Sequence, residues 1–146
     1  MKNQIFKSTA ILGLFFMLAI ASANAQTPSR IEVNIPFDFS VEKVTLKAGS
    51  YSIKRTSATT FSIRSANGKT VLVNAPLTIG SRDSKAGERL VFNQYGDQYF
   101  LSQVWMTVDT GRQLFTQSPE KKVAREYLLA NNNAKPKRVE IAARNR

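Results

Sequence analysis

Histidine and cysteine are both absent from the sequence, and the two absences remove whole classes of chemistry. A Ser-His-Asp triad, a cysteine nucleophile and a zinc ion held by imidazole or thiolate are all impossible within one such chain. What survives is carboxylate, serine-lysine or oxygen-ligand chemistry. Without cysteine there is also no disulfide framework and no site for the lipid of a bacterial lipoprotein. Internal repeats at solenoid or propeller periods are lacking as well. Stability therefore has to come from packing.

The apolar run that is present is short. AILGLFFMLAI, residues 10–20, follows Lys2 and Lys7 and leads into ASANA, with Ala23 and Ala25 at the spacing a signal peptidase reads. It is about half the twenty or so apolar residues a membrane-spanning helix needs. The first 25 residues read as a signal peptide, with no transmembrane span after cleavage. Residues 26–146 then form the mature chain of 121 residues, enough for one domain that buries about two thirds of its unfolded surface. An export signal without disulfides fits a bacterial periplasmic or extracellular protein.

From Ile31 the sequence alternates. Ile31, Val33, Ile35, Phe37, Phe39 and Val41 are apolar and most residues between them are polar, the period of a strand with one buried face. Pro36 has no ladder donor and divides the run. Ala48-Gly49 supplies a turn before Tyr51 and Ile53, and Asn67-Gly68 suits a two-residue hairpin turn that sets Ile63 opposite Leu72. The polar segment GSRDSKAG, residues 80–87, reads as an exposed loop.

ERLVFNQYGDQYFLSQVW, residues 88–105, is a second hairpin around Gly96-Asp97. This turn pairs Phe92 with Leu101, Gln94 with Tyr99, Val91 with Ser102 and Tyr95 with Gln98. One face takes Leu90, Phe92, Tyr99, Leu101 and Trp105, the other Val91, Tyr95, Phe100, Val104 and Met106. With apolar groups on both faces, the hairpin is expected to be covered on both. Ser118-Pro119-Glu120 looks like a helix start with serine as cap, and an apolar stripe of Val123, Tyr127 and Ala130 suits a cover over the hairpin's second face or across an open barrel end. The expected fold is a small antiparallel β-sandwich or barrel with one C-terminal amphipathic helix. It occupies residues 26–130, and residues 131–146 are expected to be a basic, flexible tail.

Charge is uneven. The mature chain has 19 basic and 10 acidic residues, of which residues 118–146 hold 8 and 3. Lys135, Lys137 and Arg138 in the tail are the candidate polyanion contacts. Other motifs are thin. Val108-Asp109-Thr110-Gly111 matches the short signature of aspartic proteases, which share a proton between two aspartates, but Arg112 follows where that family has a small residue. SPEK at Ser118 has the spacing of a serine-lysine pair without its partner motifs. Gly68-Lys69-Thr70 lacks the earlier glycine of a phosphate loop. Asp38 and Glu42, four residues apart on one strand face, stand ~13 Å from each other, too far to flank a glycosidic bond. Tyr95 and Tyr99 suit a core better than a sugar-stacking surface.

The blocks IPFDFSV, LKAGSYSI, LVFNQYGDQYFLSQVW and SPEKKVARE resemble those of a family of uncharacterised exported bacterial proteins, frequent in soil bacteria, that carry them in this order. The resemblance implies export and a β-rich domain and transfers no functional residue. The function expected is that of a non-catalytic envelope or extracellular binding domain without a cofactor. Its partner is an anionic polysaccharide, a lipid headgroup or an envelope protein rather than a specific nucleic acid. The alternatives are a carrier of an apolar ligand in a barrel-like interior and a dimeric hydrolase using Asp109. Expressed with its leader in a Gram-negative host, the protein is expected in the periplasmic extract with Gln26 as its first residue; an intact mass that retains residues 1–25 overturns the leader reading.

Overall fold

The computed structural model describes residues 30–81 and 86–145. The expected leader with its cleavage site, and part of the expected 80–87 loop, lie outside the described residues. The chain forms β1 (Arg30–Ile35), β2 (Phe39–Val41), β3 (Val44–Leu46), β4 (Gly49–Arg55), β5 (Thr60–Ser65), β6 (Thr70–Asn74), β7 (Leu77–Gly80), β8 (Arg89–Tyr95), β9 (Gln98–Trp105), β10 (Thr110–Gln113), α1 (Ser118–Ala130), β11 (Lys137–Ala142) and β12 (Arg144–Asn145). One sheet runs β12-β1-β4-β5-β6; the other runs β11-β8-β9-β10-β7, with β2 and β3 attached at β9. The two form a sandwich, not a closed barrel.

Alternation builds the first sheet as the sequence predicts. Ile31, Val33 and Ile35 of β1, Tyr51 and Ile53 of β4, and Phe61 and Ile63 of β5 face the core, in register Ile31↔Ile53↔Ile63. Pro36 falls between β1 and β2, where the chain leaves this sheet for the other. The β5–β6 turn differs from expectation by one residue. Ser65 N–H bonds Lys69 O and Gly68 N–H bonds Ser65 O, so the loop holds three residues with Gly68 at φ 89°, a known hairpin alternative. Ile63 therefore faces Val71 and Leu72 pairs with Ser62. Val73 is buried and Leu72 is exposed, because a one-residue slip exchanges the two faces of a strand.

The β8–β9 hairpin begins as predicted, with Tyr95↔Gln98, Gln94↔Tyr99 and Phe92↔Leu101, but then Val91 meets Gln103. Ser102 is an extra residue, a β-bulge, and its carbonyl accepts from Leu114 N–H at 2.9 Å. The bulge corrects the expected faces. Val104 and Met106 join Leu90, Phe92 and Leu101 in the core, and Trp105 turns outward beside Arg89. Between the sheets, Phe92 meets Phe37 and Phe39 edge-on at 5.2 and 5.4 Å, Phe37 stacks on Tyr99 at 3.9 Å, and Phe39 reaches Tyr51 of the first sheet at 5.3 Å. Each such ring pair adds about 0.5–1.5 kcal/mol to the burial of its rings.

Helix α1 covers the hairpin's second face near its tip. Glu120, itself buried, accepts from Asn93 Nδ2 at 2.9 Å and from the Tyr95 hydroxyl at 3.1 Å, and Tyr127 packs edge-on against Tyr95 at 5.7 Å. The cap position belongs to Gln117, which makes no side-chain cap bond, and Ser118 is the first helical residue. Asn132 and Asn133 end the helix with positive φ, which asparagine tolerates.

The tail is the main correction. Residues 137–142 are not flexible chain but strand β11, paired along β8 from Lys137↔Gln94 to Ala142↔Arg89. Val139 and Ile141 pack on the core, and β12 crosses to pair with β1. The VEIA alternation of this segment was too short and too flanked by charge to outweigh its polar composition. β8 supplies what the segment lacks, an edge whose donors and acceptors need partners. Deleting residues 136–146 is expected to strip about 3 kcal/mol or more of burial and expose the β8 edge, so the thermal midpoint falls sharply or folding is lost. An unchanged midpoint in the truncated protein overturns this placement.

Candidate functional site

The outer face of the first sheet carries the strongest charge asymmetry in the described structure. Its five strands hold a single acidic residue, Glu32, against Arg30, Lys54, Arg55, Arg64 and Arg144. Arg55 shares its face with Ile53 and lies over the Phe61 ring at 5.6 Å. The other four alternate with core residues and so project outward. Cross-strand pairing sets them in rows: Arg144, Glu32, Ser52 and Arg64 lie side by side on β12, β1, β4 and β5, with Arg30 and Lys54 in the adjoining row.

These rows enclose a groove of about 730 Å³. Ser50 and Ser52 lie along it, with Arg30, Arg64 and Arg144 among its walls and Asn34 and Ala66 toward one end. Small side chains on the middle strand are what make the sheet face concave there, since longer residues stand on both sides of them. Arg30 is paired with Glu32 at 3.3 Å. Among the described residues no ion pair involves Arg64, Arg144 or Lys54. Guanidinium groups present forked N–H donors to carboxylate, phosphate or sulfate oxygens, and the serine hydroxyls both donate and accept. Glu32 is the one carboxylate in the groove lining, where glycoside cleavage by the usual route uses two. The arrangement presents cationic and hydroxyl donors on one face of the sheet.

The three tail residues named from sequence do not line this groove. Lys135 is exposed between α1 and β11, and Lys137 and Arg138 are neighbours on β11, so they point to opposite faces. Arg138 is engaged within the protein: its guanidinium donates to Gln103 Oε1 at 2.6 Å and lies 3.6 Å from Glu140. The groove residues had a signal in the sequence. Residues 43–82 contain no Asp or Glu, and the basic residues within them at outward strand positions share one sheet.

Asp109 sits on the exposed turn between β9 and β10, where its Oδ1 accepts from the Thr107 hydroxyl at 3.0 Å. That bond holds its carboxyl below the ordinary carboxylate range, the opposite of what sharing a proton between two aspartates does to one of them. The glycine of the same motif has a packing reason: a Cβ on Gly111 would lie 2.4 Å from the Trp105 indole. Asp38 likewise serves a turn, accepting from Lys47 Nζ at 2.8 Å and Ala48 N–H at 2.9 Å, while Glu42 occupies the β2–β3 turn at φ 54°. The two carboxylates do not share a strand.

On the outer face of the second sheet the charges are internally matched. The Arg89 guanidinium lies over the Trp105 ring at 4.1 Å, donates to Gly87 O at 2.9 Å and has Glu140 at 3.4 Å. Trp105 Nε1 donates to Gln103 at 3.0 Å. Tyr95 is the most perturbed group: burial first, then the charge and hydrogen bond of Glu120, push its hydroxyl up to about 12. Both tyrosines considered for sugar stacking are thus packed on protein, Tyr99 against Phe37. Among the described residues no helix is long and apolar enough to cross a membrane, and no cluster of three or more acidic residues could hold a metal ion.

No family model, curated protein or solved structure matches the chain. The perturbed tyrosine makes a pH prediction. Because Tyr95 keeps its proton more tightly when folded, at about 12 against the 10.0 of an ordinary tyrosine, its contribution is whole below pH 10 and is lost as pH rises toward 12. In urea titrations between pH 9 and 11.5, the wild type is expected to lose stability more steeply than Tyr95→Phe. Equal slopes for the two proteins overturn the assignment.

Proposed function

We propose that this protein is a non-catalytic binding domain of the bacterial envelope or extracellular space, and that its ligand is an anionic polymer or headgroup held in the serine-floored groove of the first sheet. One observation carries the reading: Arg30, Arg64 and Arg144 border a concave face whose strands hold Glu32 as their sole acid. Such a one-sided field attracts polyanions over roughly a Debye length, about 8–10 Å at ordinary ionic strength. The tail residues Lys135 and Lys137 add to the net positive field from the other sheet. The space between the sheets is taken up by the Phe37, Phe39 and Phe92 rings, so the groove, rather than the apolar interior, supports the proposal.

The test is salt elution from an immobilised acidic polysaccharide and from anionic vesicles. The wild type is expected to be retained at low salt and released as salt rises. Arg64→Ala and Arg144→Ala should each weaken retention roughly twofold to fivefold, the span of an exposed ion pair. Lys137→Ala should change it less. Retention that ignores salt, or that ignores both arginine substitutions, overturns the proposal.

A further inference from the structure

The spacing of the cations carries the ligand class further. Arg64 and Arg144 sit in one cross-strand row on β5 and β12, with Ser52 of β4 and Glu32 of β1 between them. Three strand intervals of ~4.8 Å place their backbones ~14 Å apart. Arg30, one row away on β1, is drawn toward Glu32 at 3.3 Å and so stands between the two. Standing outward from strands that far apart, the two end arginines offer separate anchors, and a linear molecule with an anion near each end would lie across the strands over Ser52 to use both.

We infer that the groove takes an extended acidic oligosaccharide, its long axis perpendicular to the strands, with one acid group on Arg64 and another on Arg144. This rests on the proposed anion-binding role of the groove and names the ligand within it. Two features favour a sugar chain over single-stranded nucleic acid. Nucleic-acid grooves offer aromatic rings on which bases stack, and the one aromatic residue in this lining, Tyr51, is only 6% exposed and donates its hydroxyl to Lys47 O. Between the arginines stands the Ser52 hydroxyl, with Ser50 and the Asn34 amide toward one end of the groove, groups that exchange hydrogen bonds with sugar hydroxyls at no charge cost. Glu32 lies midway along the row, where its ion pair with Arg30 at 3.3 Å offsets the charge it turns toward an acidic chain.

The geometry makes length the decisive variable. The second anchor binds intramolecularly once the chain is long enough to reach it, and shorter chains gain nothing from it. Oligogalacturonates of one to six residues, titrated calorimetrically at low salt, are expected to show a step of roughly tenfold in affinity between two and four residues, then a plateau. Arg64→Gln and Arg144→Gln, both exposed substitutions, should each lower the hexamer to the affinity of the disaccharide; Lys137→Gln should preserve the step. Affinity that is flat from monomer to hexamer overturns the two-anchor inference and leaves the anion-binding reading standing. Affinity that climbs steadily with length and survives both arginine substitutions also overturns it, as does an oligothymidylate of similar charge binding as tightly as the hexamer. If no acidic chain or vesicle binds in a salt-sensitive way, the anion-binding reading itself fails.

Discussion

Strand β9 has to serve three neighbours: β8 along one edge, and β2 and then β10 along the other. The bulge at Ser102 makes this possible. Before it, Leu101 points inward and Phe100 outward; after it, Val104 points inward and Trp105 outward. A regular pleat would have sent Trp105 into the space held by the Phe92 ring cluster and left Val104 and Met106 on the outside. The extra residue lets one strand bury two different apolar sets. The Ser102 carbonyl accepts from Leu114 N–H at 2.9 Å, which carries the β9–β10 pairing one position past Gln113↔Gln103, so the bulge leaves that ladder unbroken.

From that strand the division of labour between the two sheets follows. The second sheet uses its outer face for stability: Trp105 against Gly111, Arg89 over Trp105, Gln103 joined to Trp105 and Arg138, and Glu120 beneath Tyr95. There Glu140 lies beside both Arg89 and Arg138. The first sheet packs only its inner face, and its outer face keeps Arg64 and Arg144 clear of ion pairs among the described residues. A cation without a partner on a concave surface adds little to folding and is available for a ligand. That contrast, more than net charge, locates the groove.

Several elements were legible in the sequence because their signals are local. The alternation from Ile31, the break at Pro36, the Gly96-Asp97 turn and the helix after Ser118 each depend on a few adjacent residues and on backbone geometry. Register was less legible. The Asn67-Gly68 pair is compatible with two-residue and three-residue loops, and the choice is settled where Val73, not Leu72, fits the core beside Phe61. Strand β11 was not legible, since its Val139 and Ile141 become core residues only when the distant β8 edge is present to pair with them.

The amino-acid order by itself determined the chemistry that is excluded, the period-two strands, the amphipathic helix and a charge distribution with no acid between Glu42 and Asp83. These follow from side-chain identity and from backbone preferences that act over a few residues. Only the tertiary structure decided which cations share a face. Arg30, Arg64 and Arg144 are far apart along the chain, and they become neighbours because hydrogen-bonded registers place β1, β5 and β12 in one sheet. It also decided that Arg138, equally basic in sequence, is engaged by Gln103 and Glu140 of the same fold. A charge becomes a binding group or a structural one according to what packing sets beside it.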